Sequence, residues 1–262
     1  MSTILSTPTP VDAPPHGPDR HDIAIPFPRL LRVEWFKTID TRSSRWLLAL
    51  VAAVTVAMMC APVLATGSFD QSTDEYLAFA AFAVSLLLPV VATLVMTSEW
   101  SQRTVLTTFI QEPRRGRIVL AKMGATAILT GLGCLFAALV TAIALAVSAG
   151  AGRDVSWHLS PSVGTGFVLG TLLNVAIGVG FGALLQNSAT AIVAIFALPT
   201  AFGLLAAPLH SAGQWIAPND MLDWVVNGQW DGHVAKILVA SLLWVVLPMA
   251  AGVARTIRRE IK

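Results

Sequence analysis

Residues 76–97 read YLAFAAFAVSLLLPVVATLVMT and contain no charged side chain. At the 1.5 Å rise of an α-helix, about 20 apolar residues cross the roughly 30 Å hydrocarbon core of a bilayer. Five other apolar runs of similar character occur along the chain. An all-α polytopic membrane protein is therefore predicted, with six transmembrane helices at about 46–66, 76–97, 118–149, 163–185, 190–209 and 234–254.

The composition of the whole chain agrees with this class. Hydrophobic residues make up 55% of the 262 residues and charged residues only 12%, whereas a soluble domain carries about 25% charged residues. The protein therefore has too little charge to be wetted on all sides. Both cysteines, Cys60 and Cys134, lie in apolar runs and are interpreted as packing residues.

The basic residues are segregated along the chain. Residues 20–45, 103–122 and 255–262 hold fifteen of the 17 Lys and Arg residues, while the alternate connections hold only Arg153 and Lys236. Because Lys and Arg concentrate in cytoplasmic loops, both termini are predicted to be cytoplasmic. Lys122 lies just inside the third run, where we expect its long side chain to reach the membrane surface.

The ends of the chain differ from its middle. Residues 1–28 carry seven of the 15 prolines and no apolar run long enough for a signal peptide. They are predicted to form a disordered cytoplasmic tail that the mature protein keeps. Residues 29–255 are predicted to form the membrane domain, and 256–262 a basic cytoplasmic C-terminus.

An amphipathic interfacial helix is predicted before the first span, in PRLLRVEWFKTIDTRSSRW at residues 28–46. Such a helix lies in the cytoplasmic membrane surface with its apolar side toward lipid. The residues predicted for its apolar side are Leu31, Trp35, Phe36 and Ile39, and those for its polar side are Glu34, Lys37 and Thr38.

A second amphipathic segment, SEWSQRTVLTTFIQEPRRGR at residues 98–117, connects the second and third spans. The spacing of its apolar residues predicts a helix over about 99–112, which Pro113 ends. One interpretation is a helix held on anionic lipid by its Arg residues; the other is a docking helix for a cytoplasmic partner. The residues assigned to docking are Glu99, Trp100, Arg103, Val105, Leu106, Phe109 and Ile110.

A ladder of small residues follows one face of the fourth span: Gly166, Gly170, Asn174, Gly178 and Gly182. Small residues four positions apart let two helices approach closely, and Asn174 can hydrogen-bond across the contact. The ladder predicts either helix packing within the chain or an interface between subunits. Further along, residues 208–232 are too apolar for a plain loop, and we expect short re-entrant helices at the outer interface, with Trp224 as an interfacial anchor.

Motifs for chemistry are absent from the sequence. The five His residues have no metal-ligand spacing, and no GxxxxGK[ST] phosphate loop occurs. The apolar centres of the spans contain no Asp, Glu, Lys, Arg or His, which argues against a proton-coupled carrier. We therefore expect no enzyme activity, no cofactor and no metal on this chain, and no nucleic-acid partner.

Three stretches resemble the permeases of ABC type-2 exporters. RVEWFKTIDTRSSRW at 32–46 is similar to their E-x-x-K-x-x-x-x-R segment, through Glu34, Lys37 and Arg42. SEWSQRTVLTTFIQEPRRGRIVLAKM at 98–123 is similar to the segment after their second span, and GALLQNSATAIVAIFALP at 182–199 to the turn between their fourth and fifth spans. The matching positions in the second stretch are Glu99, Thr104, Pro113, Arg117 or Arg115, and Lys122; Arg103 stands where the family usually has Gly.

The resemblance implies a permease subunit in a bacterial plasma membrane, paired with an identical or homologous second permease. It also implies two cytoplasmic ABC ATPase subunits that bind ATP and Mg, with a cytoplasmic coupling helix between spans 2 and 3 that inserts into the ATPase. The expected cargo is a hydrophobic or amphipathic molecule, such as a drug, a lipid or a lipid-linked molecule. A membrane anchor or sensor for a cytoplasmic partner is the alternative, and an intramembrane enzyme around Asn174 is a third.

Overall fold

A computed structural model describes residues 25–65, 67–102 and 114–258, and none of these residues forms a β-strand. The described chain is helical, with one isolated bridge between Ser72 and Ser156. In chain order the helices are α1 (Phe27–Asp40), α2 (Arg42–Met58), α3 (Cys60–Leu64), α4 (Thr73–Ser101), α5 (Arg115–Gly150), α6 (Pro161–Leu185), α7 (Ser188–Ala206), α8 (His210–Gly213), α9 (Pro218–Val226), α10 (Val234–Ser241) and α11 (Leu247–Arg258).

Six helical segments of the described chain are long and apolar enough to cross a membrane, which confirms the predicted number of spans. Two of the six are composite: α2 and α3 together form the first, and α10 continues through a π-helical segment, Leu242–Val246, into α11 to form the last. The other four are α4, α5, α6 and α7. The fold is that of an all-α, multi-pass membrane protein.

The two ends of the bundle differ in charge. The end that holds α1, the C-terminus of α4 and the N-terminus of α5 carries most of the Lys and Arg residues, and it is called the basic end here. The opposite end carries the connections α3–α4 and α5–α6 and the helices α8 and α9. It holds most of the acidic residues of the connections and is called the acidic end.

Helices α4 and α6 form the centre of the bundle. In the apolar stretch of each span, 61% of the α4 residues and 56% of the α6 residues are buried inside the protein, against 17–22% for the first, fifth and last spans. Helix α6 contacts α4, α5, α7, α9 and α11. The α4–α6 seam also contains a polar contact, because the Thr93 hydroxyl donates to the carbonyl oxygens of Pro89 at 2.8 Å and Gly178 at 3.2 Å. In a medium as apolar as the side chains, such close packing and hydrogen bonding hold helices together.

The small-residue ladder of α6 packs against other helices of the same chain. A Cβ added to Gly166 or Gly170 would clash with Val226 at the end of α9, and one added to Gly178 would lie 2.5 Å from the Pro89 oxygen in α4. Asn174 Nδ2 donates to the backbone carbonyl oxygen of Ser85 in α4 at 3.0 Å. The described structure therefore uses the ladder for helix packing within the chain, with Gly182 beside Met96 and Thr93.

The last span is interrupted by its π-helical segment, directly before Pro248. Proline lacks the N–H that would bond to the carbonyl four residues earlier, and a π-turn is one way in which a helix absorbs such a defect. The segment turns Trp244 inward, where its Nε1 donates to the Ile216 oxygen at 2.8 Å. This bond ties the last span to the connection between α8 and α9.

Several predicted boundaries change. Helix α1 begins at Phe27, so residues 27 and 28 belong to a helix rather than to the predicted tail, and α11 continues to Arg258. Residues 1–24 and 259–262 lie outside the described residues. Short helices occupy the stretch before the last span: a 3₁₀ turn at Ala207–Leu209, then α8 and α9. That they are re-entrant stays a prediction.

One interfacial tryptophan was predicted wrongly. Trp224 is only 8% exposed, and its ring stacks on that of His233 with centroids 4.3 Å apart. The Lys236 ammonium lies 5.3 Å from the same ring. Trp224 is therefore a packing residue between α9 and the start of the last span, because α9 turns this face toward the protein.

The central seam can be tested with Gly178→Ala. The new methyl group meets the Pro89 carbonyl, which is backbone and cannot move away cheaply, so α4 and α6 must separate. We expect a loss of about 1–3 kcal/mol in unfolding free energy, measured by denaturation in detergent micelles. Gly131→Ala in α5 is the control, because a Cβ there meets nothing within 4 Å; equal stability of both variants would contradict the packing.

Candidate functional site

Helix α1 buries the polar side of its pattern. Leu30, Glu34 and Thr38, which are four residues apart and share one helix face, are 7%, 1% and 2% exposed. Leu30 packs against Ile118 and Ala121 of α5. Thr38 donates its hydroxyl to the Glu34 carbonyl oxygen at 2.8 Å. The contact with α5 therefore combines apolar packing by Leu30 with a buried carboxylate, that of Glu34.

Four charged side chains form a closed ring at the basic end. Glu34 Oε2 accepts from Lys122 Nζ of α5 at 2.7 Å, and Glu34 Oε1 accepts from Lys37 Nζ at 2.8 Å. Glu99 Oε1, in the last turn of α4, lies 2.9 Å from Lys37 Nζ and 3.4 Å from Lys122 Nζ. These four residues, here called the ionic ring, join α1, α4 and α5.

The ionic ring is balanced in charge and largely removed from solvent. Side chains of Glu34, Lys122 and Glu99 are 1%, 5% and 10% exposed, and only Lys37, at 43%, reaches the surface. Taking a charge out of water costs several kcal/mol unless an opposite charge compensates it. Each acid in the ring contacts both lysines, so that removal of the buried Lys122 or Glu34 would leave an opposite charge in the protein less well compensated.

The exposed member of the ring has a shifted pKa. Burial disfavours the charged form of Lys37, but the hydrogen bond and charge of Glu34, together with those of Glu99, outweigh it and raise the Lys37 pKa above its usual value. The ammonium is therefore held in its charged form by its two carboxylate neighbours.

A polar cavity of about 550 Å³ adjoins the ionic ring. Hydroxyl and amide side chains supply much of its wall, including Thr41 and Ser44 at the start of α2 and Ser101 and Gln102 at the end of α4. Gln102 is the last described residue before the segment 103–113. The cavity and the ring therefore lie where the chain leaves α4 toward the predicted docking helix.

Further bonds fasten the remaining helices to this end. The Arg115 guanidinium donates to the backbone carbonyl oxygen of Thr256 at 3.2 Å, and the Arg255 guanidinium donates to the backbone carbonyl oxygen of Leu184 at 2.5 Å. These two bonds connect α5, α6 and α11. Ser188 at the start of α7 shares hydroxyl hydrogen bonds with Thr97 at 2.7 Å and Ser101 at 2.8 Å. Five of the six spans thus meet within one bonded layer, and α1 lies across it.

The third resembled stretch forms a tight turn within this layer. Helix α6 ends at Leu185, and Gln186 adopts a left-handed conformation with φ of 54°, which closes the helix. Asn187 then caps α7, because its Oδ1 accepts from the Thr190 backbone N–H at 3.0 Å. The turn places Gln186 Nε2 3.2 Å from the Thr256 hydroxyl of α11.

The predicted docking residues are only partly described. Glu99 lies in the ionic ring and Trp100 is half-buried beside it in the last turn of α4. The residues of this prediction that lie outside the described ranges are Arg103, Val105, Leu106, Phe109 and Ile110.

The predicted faces of the N-terminal helix need correction. Phe36 is 50% exposed, as expected of a lipid-facing residue, but Leu31, Trp35 and Ile39 are half-buried. Glu34 points into the protein rather than into water, because the ionic ring compensates its charge. The exposed apolar side instead consists of Phe27, Val33 and Phe36.

The buried ion pair of Lys122 with Glu34 differs from the position predicted for this lysine. Its side chain was predicted to extend to the membrane surface, yet the residue is 4% exposed and bonded to Glu34. The signal lay in the resembled motifs, which contain both residues at matching positions. Periodicity alone could not join two residues that stand 88 positions apart.

The ionic ring pairs two carboxylates with two ammonium groups. Among the described residues, no group of three or more His, Cys, Asp or Glu side chains is placed to hold a metal ion. The two carboxylates of the ring are each neutralised by lysines from other positions, and the ion pairs hold α1, α4 and α5 together.

Comparison with known proteins adds no relative: no protein-family model matches the chain, and no curated protein matches it. The likeness to ABC type-2 permeases therefore rests on the short sequence motifs alone.

The raised pKa of Lys37 predicts alkaline sensitivity. Because the Lys37 pKa is higher in the folded than in the unfolded protein, the charged ammonium stabilises the folded state. This stabilisation is fully present below the pKa of Lys37 in the unfolded chain, about 10.4, and is lost as the pH rises through its pKa in the folded protein. We expect Lys37→Met to cost up to about 1 kcal/mol at pH 8, and the difference from the wild type to shrink above pH 10.5. Unfolding free energies in micelles across pH 8–12 measure it.

The control for this titration is Arg45→Met. Arg45 pairs with Asp40 at the surface, and its guanidinium remains charged throughout this range. A Lys37→Met effect that is as independent of pH as that of Arg45→Met would show that Lys37 is not held by the ring.

Proposed function

We propose that the chain is the membrane-spanning subunit of an ATP-driven exporter of the ABC type-2 kind. Its ATP would be bound, with Mg, by two copies of a separate cytoplasmic ATPase, since no phosphate-binding loop occurs in this sequence. A second permease, identical or homologous, would complete the pathway. In this proposal the basic end faces the cytoplasm of a bacterial cell, as the positive-inside rule expects.

The observation that carries the proposal is the convergence of motif positions. Glu34 and Lys37 come from the first resembled stretch, and Glu99 and Lys122 from the second. These residues are matched by sequence likeness alone, yet the fold brings all four within 3.4 Å of a ring neighbour. If the sequence likeness were due to chance, there would be no reason for its four charged matching residues to form ion pairs with one another.

The ring also gives the proposal a mechanical basis. Helix α4 ends at Ser101, two residues after Glu99. It therefore includes the first residues assigned to docking, Glu99 and Trp100, and the other residues assigned to docking follow it in the sequence. A displacement of the docking helix by the ATPase would therefore act on α4 directly, and through the ring on α1 and α5. Because α4 forms the central seam with α6, such a displacement would reach the core of the bundle.

The exposed face of α1 suits the cytoplasmic membrane surface. Phe27, Val33 and Phe36 are 39%, 45% and 50% exposed, and the Arg32 guanidinium lies 5.6 Å from the Phe36 ring centroid. Apolar rings flanked by arginines are typical of helices that lie among lipid headgroups. In the proposal, α1 lies along the membrane surface while the ionic ring fixes its other face to α4 and α5.

The cargo class follows from polarity. The charges of the described spans are concentrated near the basic end, so that a pathway through the bundle would be predominantly apolar. We propose a hydrophobic or amphipathic substrate, such as a drug, a lipid or a lipid-linked molecule, which is moved out of the cell.

Docking is tested with a candidate partner ATPase, identified by a GxxxxGK[ST] motif in a reading frame that neighbours the gene of this chain. Phe109→Asp and Leu106→Asp place charges on the predicted apolar face of the docking helix. We expect each to weaken co-purification with the ATPase by at least about tenfold, because an unpaired charge in an apolar contact costs more than the 1.4 kcal/mol of one decade. Stimulated ATP hydrolysis should fall with binding.

The matched control is Thr108→Asp, which adds the same charge on the predicted opposite face of the same helix. Retained binding in Thr108→Asp with loss in Phe109→Asp supports docking by this face. Unchanged binding and hydrolysis in Phe109→Asp and Leu106→Asp would overturn the docking role. An ATPase that binds but is never stimulated would favour the membrane anchor or sensor.

A further inference from the structure

A second cavity lies between the fourth and the last spans, toward the acidic end. Its volume is about 570 Å³. One wall is the stretch of α6 from Leu169 to Ala176, and the other is α10 from Val234 to Ser241; Val225 and Trp230 close the end nearest the acidic connections. Each wall is seven residue steps long, which corresponds to about 10 Å of helix. The feature is called the lateral crevice here.

The lateral crevice offers no polar group that needs a partner. Ser241 is the one lining residue with a hydroxyl, and it lies 3.2 Å from the Met221 sulfur. The indole N–H of Trp230 donates to the Val225 oxygen at 3.3 Å. Water needs two to four polar partners to occupy a cavity, and none remains here. A charged or strongly polar ligand would lose its hydration without compensation.

The lateral crevice opens sideways along its walls. Leu169 and Leu172 on α6 are 45% and 38% exposed, and Val234 and Leu238 on α10 are 54% and 64% exposed. Both walls belong to helices that are long and apolar enough to span a membrane. The medium at the mouth of the crevice is therefore bilayer hydrocarbon, not water.

We propose that the lateral crevice binds one acyl chain of a bilayer glycerophospholipid. A slot of this volume cannot stay empty beside fluid hydrocarbon, since unfilled space forfeits the dispersion contacts of its whole lining. An acyl chain is the apolar, unbranched occupant that the bilayer supplies at this depth. Trp230 stands at the end where the lipid headgroup would lie, and tryptophan favours that level of the membrane. The proposal does not depend on a transport function.

The test is photolabelling by lipid. The full chain is reconstituted in phosphatidylcholine vesicles that contain a trace of phosphatidylcholine with a diazirine in mid-chain, and the labelled residues are mapped by mass spectrometry after irradiation. We expect residues 169–176 to be labelled severalfold more than Leu135 and Leu139 of α5, and residues 234–241 severalfold more than Ile143 and Val147 of α5. These four α5 residues are 55–68% exposed, and each pair lies at a similar number of residues from the acidic end of its helix as the crevice wall with which it is compared.

Two variants that fill the crevice, Ser241→Trp and Ala176→Phe, should each reduce the label in the crevice to the level on α5. Leu139→Trp, which places the same indole ring on an open lipid-facing surface, should leave the crevice label unchanged. Equal labelling of crevice and α5 in the wild type would show ordinary bilayer contact and overturn the site. Weaker labelling than on α5 would overturn it too, because another occupant would then exclude lipid.

Discussion

The buried ion pair between Glu34 and Lys122 is the contact on which the basic end of the molecule depends. It fixes α1 against α5 at a place where neither helix could leave its charge alone, since an uncompensated buried charge costs about 3–5 kcal/mol. Lys37 and Glu99 extend the pair into a ring that includes α4. Helix α1, which the sequence predicts as an interfacial helix, is thereby bonded to the helices of the bundle.

The rest of the bundle is held by a different means. The α4–α6 seam is held by the close packing that glycines allow and by the hydrogen bond of the Thr93 hydroxyl, rather than by ion pairs. Van der Waals packing and hydrogen bonds are the main attractions between helices in lipid. Helix α4 belongs to both systems, with Thr93 in the seam and Glu99 in the ring. It is therefore the element through which a force at the basic end would reach the centre, as the proposed exporter requires.

The parts of the fold that sequence predicts well are the ones that local composition determines. A span such as 76–97 is recognised by length and apolarity alone, and the ladder from Gly166 to Gly182 by its regular spacing. Orientation of a face is another matter. The amphipathic pattern of α1 shows that its two sides differ, but only the distant Lys122 makes the side of Glu34 the buried one. Trp224 was misplaced for the same reason, since its environment is set by the way α9 turns.

The account is tested most directly by a double-mutant cycle on Glu34 and Lys122. Unfolding free energies in micelles would be measured for the wild type, Glu34→Gln, Lys122→Met and the double variant. If the pair organises the basic end, the double variant is more stable than the sum of the single effects predicts, by about 1–3 kcal/mol. Effects that add to within about 0.5 kcal/mol would contradict the account, because independent residues behave in that way.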